Sequence, residues 1–160
     1  MKRRQWQVCT MGIGVLVVGA STPVALASPP SAVTVTTLAL ANAAGPVKAR
    51  ADGVRIEAKV ATTVSVQNVV FGMGGRTGWH HHPGAVLVAV QTGAVTVTDS
   101  DCHSVTYGPG LSTGAVFTES GDEPMEVSSK NGASVFATLV VPQAVPAVLR
   151  IEDGAVACPS

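Results

Sequence analysis

The clearest structural signal in the chain is Gly75-Arg76-Thr77-Gly78-Trp79-His80-His81-His82-Pro83-Gly84, which the apolar run 85–90 follows. An alternating run, 63–71, precedes it, so the pattern predicts a strand, a glycine-rich turn, a histidine cluster and another strand. Because successive side chains of a strand point to opposite faces, we expect His80 and His82 to share one face. Two imidazoles on one face, next to a turn, are well placed to bind a single metal ion.

Short alternating runs of this kind make up most of the chain after residue 27. They predict strands at 33–40, 54–60, 63–71, 85–91, 94–98, 105–107, 115–118, 125–128, 134–141 and 148–151. Gly and Pro turns separate the runs, and no run longer than ten residues has a helical period. The sequence therefore predicts one all-β domain, either a sandwich or a barrel.

Two details of this pattern concern the connections between strands. The run 54–60 alternates apolar and charged residues, which indicates a half-buried strand. Its inward positions are expected to be Val54, Ile56, Ala58 and Val60. Thr92-Gly93 predicts a close hairpin between the strands on either side of it, and Asn131-Gly132 is interpreted as the turn between two separate strands.

The first 27 residues have the pattern of a secretory signal peptide. Three basic residues, 2–4, precede an apolar core at 11–20, and Ala25-Leu26-Ala27 offers small residues where a signal peptidase cuts. We therefore expect a secreted or extracytoplasmic protein that has no membrane attachment after cleavage. The expected organisation is a signal peptide (1–27), an N-terminal leader with an edge strand (28–47), a β-barrel (48–151) and a C-terminal tail (152–160).

Removal of the signal peptide changes both the charge and the cysteine content. Seven basic and ten acidic residues remain, which gives a net charge of −3 with no basic stripe. This composition argues against a nucleic-acid partner. Cys102 and Cys158 are the cysteines left, and an even pair in an exported protein predicts a disulfide, with two free thiols as the alternative.

The histidine segment resembles the first motif of the cupin superfamily. The matching positions are Gly74 or Gly75, His80, His82 and Gly93. The segment 78–84 is especially similar to a group of small exported bacterial cupin-domain proteins. Positions in the second motif are matched by Gly108, Gly110, Phe117 and Pro124. The resemblance covers roughly residues 54–151 and implies a cupin-like jelly-roll β-barrel.

The metal ligands of that superfamily are matched only in part. Cupins typically use two His and a Glu from the first motif and a His from the second. His80 and His82 match the first two ligands, whereas the Glu position holds Val86 and the second-motif His position holds Met125. The resemblance thus implies a degenerate site with two of the four usual ligands.

Three interpretations of the site stay open. In the first, the two histidines bind Zn, Ni, Cu or Fe, completed by water, a substrate or Glu123. In the second, Met125 is a third ligand, and its thioether favours copper, especially Cu(I). In the third, no metal is bound and the barrel is a ligand pocket. That pocket would be lined by Val86, Val88, Met125 and Phe136, with Trp79 at its rim.

The resulting functional hypothesis is an exported cupin-like barrel that binds a small molecule or a metal ion. The alternatives are a metal-dependent oxygenase or isomerase that uses His80 and His82, and a copper-handling protein. The missing Glu counts against the enzymes, because a facial-triad oxygenase needs a carboxylate. An acidic group is expected at a solvated rim, with a carboxylate ligand or a general base as the alternative; its members are Glu119, Asp122, Glu123 and Glu126. The apolar run 138–141 is compatible with a homodimer, and no catalytic residue is assigned.

Overall fold

The computed structural model describes residues 28–158, and every regular element in that range is a β-strand. The strands are β1 (Ser31–Ala43), β2 (Val47–Ala51), β3 (Val54–Ala58), β4 (Thr62–Arg76), β5 (His80–His81), β6 (Ala85–Gly93), β7 (Val95–Asp99), β8 (Ser104–Tyr107), β9 (Val116–Glu119), β10 (Met125–Pro142) and β11 (Ile151–Glu152). The predicted signal peptide, 1–27, lies outside the described residues. Within 28–158 there is no helix that is long and apolar enough to cross a membrane.

Nine strands form one antiparallel sheet that curls around its inner face. β4 lies between β1 and β10, and the other side of β10 pairs with both β6 and β7. β9 and β8 extend the sheet beyond β6 and β7, respectively. β5 and β11 pair at the end where the histidines lie. The prediction of an all-β fold is confirmed for the described residues.

The long strand β10 connects the two parts of the sheet. Its first half pairs with β7 and its second half with β6, so the predicted hairpin between the strands around Thr92-Gly93 is wrong. The predicted break at Asn131-Gly132 is also wrong, because β10 runs through it. Gly93 has a φ of 73°, and a Cβ there would collide with the backbone of Gly132 and Ala133. Close backbone approach explains this glycine.

The inner face of the curled sheet carries the hydrophobic core. In β10 the residues at 133, 135, 137, 139 and 141 are buried and alternate with half-buried ones, as the two-residue period of a strand requires. The core consists of Val69, Phe71, Val86, Val88, Val90, Val95, Phe117, Val127, Ala133, Val135, Ala137, Leu139 and Val141. Aliphatic and β-branched residues on one face thus define the side that holds the functional site.

A separate two-stranded sheet is formed by β2 and β3, which pair only with each other. The sequence analysis missed β2, although Asp52-Gly53 between the strands is a strong hairpin signal. Val54 and Ile56 are 63% and 57% exposed, and Val60 is 56% exposed. The prediction that this strand buries its apolar side is wrong, because alternation indicates two faces but not what covers them.

Cys102 and Cys158 form a disulfide, with their Cα atoms 5.5 Å apart. This distance lies in the normal range for a disulfide, so the predicted pairing is confirmed. The bond joins the C-terminal tail to the loop between β7 and β8.

Candidate metal centre

Three metal-binding side chains meet on the inner face of the sheet: His80, His82 and Glu119. Each offers one ligand atom, and these atoms all lie within 4.8 Å of one another. The three residues are only 3%, 7% and 6% exposed. The Nε2 atom of His82 is 2.9 Å from a carboxylate oxygen of Glu119. The sequence predicted the histidine pair, but it placed Glu119 at a solvated rim and gave a carboxylate ligand only as the alternative; the solvated placement is wrong because Glu119 is buried.

Short strand pairing fixes the two histidines relative to each other. His80 in β5 is the register partner of Met125 in β10 and of Glu152 in β11. The rings of His80 and His82 have centroids 5.0 Å apart and meet edge to face at 84°. The intervening His81 is half-buried, and its Nδ1 atom is 2.8 Å from the carboxylate of Asp153. The alternation expected from the sequence therefore separates His81 from its neighbours.

Backbone carbonyls determine which nitrogen of each ring carries a proton. The Nδ1 atom of His80 lies 2.9 Å from the carbonyl oxygen of Gly78. The Nδ1 atom of His82 is hydrogen-bonded to the carbonyl oxygen of Leu149. Because a carbonyl only accepts, both Nδ1 atoms must donate. In the neutral rings the lone pairs are therefore on the Nε2 atoms, which is the arrangement usual for histidines that bind metals.

Glu119 comes from a strand next to the one on which the resemblance places the carboxylate. It is the register partner of Val86, and directly opposed residues of an antiparallel pair share a face. The carboxylate therefore reaches the same side of the sheet as the expected Glu. The sequence did contain one signal for this placement: Glu119 is two residues after the apolar Phe117, so a strand puts both side chains on the same face. The structure shows that both residues are buried.

Two of the other candidate residues lie away from the cluster. Glu123 is exposed, and its carboxylate accepts a hydrogen bond from Ser100 over 3.4 Å. The carboxylate that lies beside the two histidines is therefore that of Glu119 and not, as proposed from the sequence, that of Glu123. Phe136 is wrongly assigned to the pocket. It alternates with Val135 and Ala137, which line the cavity, and it therefore points to the outer face.

The remaining candidates lie at or near the site. Val86 and Val88 line the cavity, as expected. Trp79 is buried at 5% exposure, lies outside the cavity lining, and accepts a backbone hydrogen bond from Asp153 through its carbonyl. Met125 is buried and directly opposite His80 in register, but it is not among the residues that line the cavity, so that part of its assignment is wrong. Its role as a ligand stays a prediction.

The cluster opens into a cavity of about 360 Å³. Most of its wall is apolar and comes from the inner face of the sheet, including Val35, Val69, Phe71, Val127, Leu139 and Leu149. A few polar groups converge on the same space, which is the usual composition of a small-molecule site. The cavity therefore places a largely apolar compartment next to the three polar side chains.

Arg150 and Glu152 form the charged part of the cavity wall. Arg150 donates to the carboxylate of Glu152 through two nitrogens, over 2.6 and 2.8 Å, and to the carbonyl of Thr77 over 2.6 Å. This hydrogen-bonded pairing lowers the pKa of Glu152. Arg150 is thereby fixed beside the cluster, and its charge also acts on His80.

Burial, and after it the positive charge of Arg150, lower the pKa of His80 to about 4, although the hydrogen bond to the Gly78 carbonyl opposes the shift. The ordinary pKa of histidine is 6.5, so between pH 6.5 and about 4 this residue binds more protons in the unfolded chain than in the folded protein. We expect the metal-free protein to lose about 3 kcal/mol of unfolding free energy as pH falls through this range, because one pKa unit corresponds to about 1.4 kcal/mol.

Urea unfolding of the metal-free protein in the presence of a chelator measures this dependence. The His80→Gln variant is the control, because it cannot take up the proton and should show a shallower fall in stability over the same pH range. If the unfolding free energies of the two proteins fell equally with pH, the lowered pKa of His80 would not be the cause.

The solved structures described below share 15% to 16% sequence identity with this chain. No protein-family model matches the sequence, and a search of curated proteins gives no match. Among solved structures, a cupin-2 domain, Rru_A2000 from Rhodospirillum rubrum, matches with a TM-score of 0.48 and 15% identity over 74% of this chain and 68% of that chain.

Two further matches have lower TM-scores. The SPY1581 protein of unknown function from Streptococcus pyogenes has a TM-score of 0.45 and 15% identity, over 66% of this chain and 77% of that chain. Salicylate 1,2-dioxygenase from Pseudoaminobacter salicylatoxidans has a TM-score of 0.40 and 16% identity, over 47% of this chain and only 19% of that chain.

The curled sheet and the cluster on its inner face define the class of this protein. Over residues 28–158 it is an all-β protein with a curled sheet and a buried His-His-Glu group that could hold a metal ion.

Proposed function

We propose that the protein binds a transition-metal ion through His80, His82 and Glu119, at the wall of a cavity that admits a small ligand. The observation that carries this proposal is the contact between His82 and Glu119. With Nδ1 of His82 donating to a carbonyl, the Nε2 lone pair of the neutral ring faces a carboxylate oxygen at 2.9 Å. Two acceptors at this distance in a buried site need a cation between or beside them, either a proton or a metal ion.

The donor chemistry favours a metal of intermediate softness. Two imidazole nitrogens and one carboxylate oxygen suit Zn²⁺ or Fe²⁺, and three protein ligands leave positions for water or a bound molecule. The carbonyls of Gly78 and Leu149 hold the rings in place, since each accepts from an Nδ1 atom. The largely apolar cavity wall would hold the apolar part of a ligand close to these groups.

A second candidate function is a metal-dependent oxygenase. It is favoured by one specific observation, the presence of Glu119 in the cluster. Two histidines and one carboxylate with open positions are the donor set of non-heme Fe(II) oxygenases. The sequence argument against an enzyme depended on the missing carboxylate, and Glu119 removes that argument. An isomerase and a copper-handling role through Met125 remain weaker alternatives.

We also propose that the protein acts outside the cytoplasm. The signal-peptide pattern at 1–27 and the disulfide between Cys102 and Cys158 support this location, because such bonds persist in oxidising compartments.

Elemental analysis tests the proposed metal site. We expect the native purified protein to contain close to one equivalent of metal and the His80→Ala/His82→Ala double variant to contain less than roughly a tenth of that. The His103→Ala variant is the matched control, because the His103 side chain is 80% exposed in a loop. Iron would support the oxygenase candidate and copper the role of Met125. Metal in the native protein no higher than in the double variant would overturn the proposal.

A further inference from the structure

The hairpin formed by β2 and β3 has one apolar face and one charged face. Its register pairs Val47 with Ala58, Ala49 with Ile56 and Ala51 with Val54. The other face pairs Lys48 with Glu57 and Arg50 with Arg55. Because directly opposed residues share a face, the six apolar side chains form one continuous surface. We name this apolar surface of 47–58 the arm face.

The arm face is uncovered in the single chain. All residues of β2 and β3 are exposed except Ala58, which is half-buried. An isolated two-stranded hairpin is at best marginally stable in water, and three strands or a packing partner are normally required. A hairpin with an apolar face of this size is therefore expected to pack against another surface.

A second uncovered apolar surface lies on the inner side of the edge strand β1. Val35 and Leu40 are opposite Val69 and Ser65 in register, and those two residues are buried on the inner face. Val35 and Leu40 therefore point inward, yet each is 55% exposed. Val35 is also part of the cavity wall, so the cavity is open on this side. We name the surface around Val35 and Leu40 the β1 surface.

The two surfaces do not cover each other within one copy. They are joined by only three residues, 44–46, and both remain exposed. The same chain therefore presents an unpaired apolar arm and an unpaired apolar receiving surface. In two copies related by a two-fold axis, the arm face of each copy could cover the β1 surface of the other.

Charge favours a second copy as the occupant. Residues 47–59 contain four basic and two acidic residues, a net charge of +2. The rest of the described chain, 28–46 and 60–158, contains three basic and eight acidic residues, a net charge of −5. Opposite net charges steer the arm of one copy towards the body of another and favour productive encounters.

We propose that two copies of this chain exchange their hairpins, so that the arm face of each packs on the β1 surface of the other. The exchange covers Val54 and Ile56 on the arm, and Val35 and Leu40 on the receiving strand. It also closes the open side of the cavity, so the second copy completes the compartment beside the metal centre. This proposal is independent of whether a metal is bound.

The test measures the oligomeric state of the purified protein by sedimentation velocity at micromolar concentrations. We expect a dimer, and we expect Ile56→Lys and Leu40→Glu, each alone, to weaken dimerisation roughly tenfold or more, because each places a charge in an apolar contact. Leu87→Glu is the matched control. Leu87 is 52% exposed on the outer face of β6, and this variant should remain dimeric.

Mixing the two disrupted variants distinguishes exchange from other contacts. A heterodimer of the Ile56→Lys and Leu40→Glu chains contains one unaltered contact and one lysine–glutamate pair, so it should form more tightly than either variant dimerises alone. Circular dichroism and thermal melting should show folded variants, because both positions are exposed. A monomeric native protein, a dimer broken by Leu87→Glu but not by Ile56→Lys, or no gain on mixing would overturn the proposal. Metal content is measured separately, so a protein without bound metal would still give a valid test of the dimer.

Discussion

The Glu119→Gln variant is expected to bind metal roughly a hundredfold or more weakly than the native protein, since even loss of an outer partner of a ligand typically costs tenfold to a hundredfold. Glutamine preserves the shape of the side chain but removes its negative charge. Its amide group would also donate a hydrogen bond to the Nε2 atom of His82, which the carboxylate oxygen approaches to 2.9 Å. The lone pair that should bind the metal is then occupied.

Competition with a metal-binding dye, with Zn²⁺ as the probe, measures this loss. The matched control is Glu123→Gln, which makes the same change on an exposed carboxylate that contacts Ser100. Its affinity should equal that of the native protein. If the two variants bind Zn²⁺ equally well, Glu119 is not a ligand and the cluster is a proton-linked pair instead.

The Met125→His variant is expected to bind Zn²⁺ roughly tenfold or more tightly than the native protein, because it offers a further imidazole to a three-ligand site. Met125 and His80 are directly opposite in register, and directly opposed residues have Cβ atoms about 5 Å apart on the same face. Met125 is buried and lies two residues before Val127, which lines the cavity. The new side chain would therefore project towards the existing ligands.

Glu126→His provides the control for this gain. Glu126 neighbours Met125 on β10 but points to the opposite face and is half-buried. A histidine there should leave the affinity for Zn²⁺ unchanged. An equal affinity of the two histidine variants would contradict the placement of Met125 beside the site.

The sequence predicts those parts of the site that depend on local alternation. His80 and His82 are two residues apart, so a single strand suffices to place both rings on one side. Glu119 depends on the register between β6 and β9, which is a long-range pairing. No periodicity within one strand reports which residue of another strand lies opposite. The missing carboxylate at Val86 therefore looked like a lost ligand, although the adjacent strand supplies one.

The same limit applies to the connections between strands. Asn131-Gly132 has turn-forming residues, and Gly132 has a φ of 89°, yet the strand continues through it. The left-handed conformation that suits a hairpin turn also occurs at irregular points inside a ladder. Likewise, the alternation of Val54 and Ile56 identifies an apolar side without identifying its cover. Contacts between distant parts of the chain decide both whether a strand continues and what covers its apolar side.

The segment from Leu149 to Cys158 links the orientation of one imidazole to the redox state of a distant bond. The Leu149 carbonyl accepts the Nδ1 proton of His82, Asp153 contacts His81, and Cys158 anchors the far end to Cys102. Reduction of this disulfide to two thiols by an external reductant would free the C-terminal end of the segment, so that fewer contacts would orient the His82 ring. If the proposed metal ion is bound, its affinity should therefore be higher with the disulfide intact than after reduction.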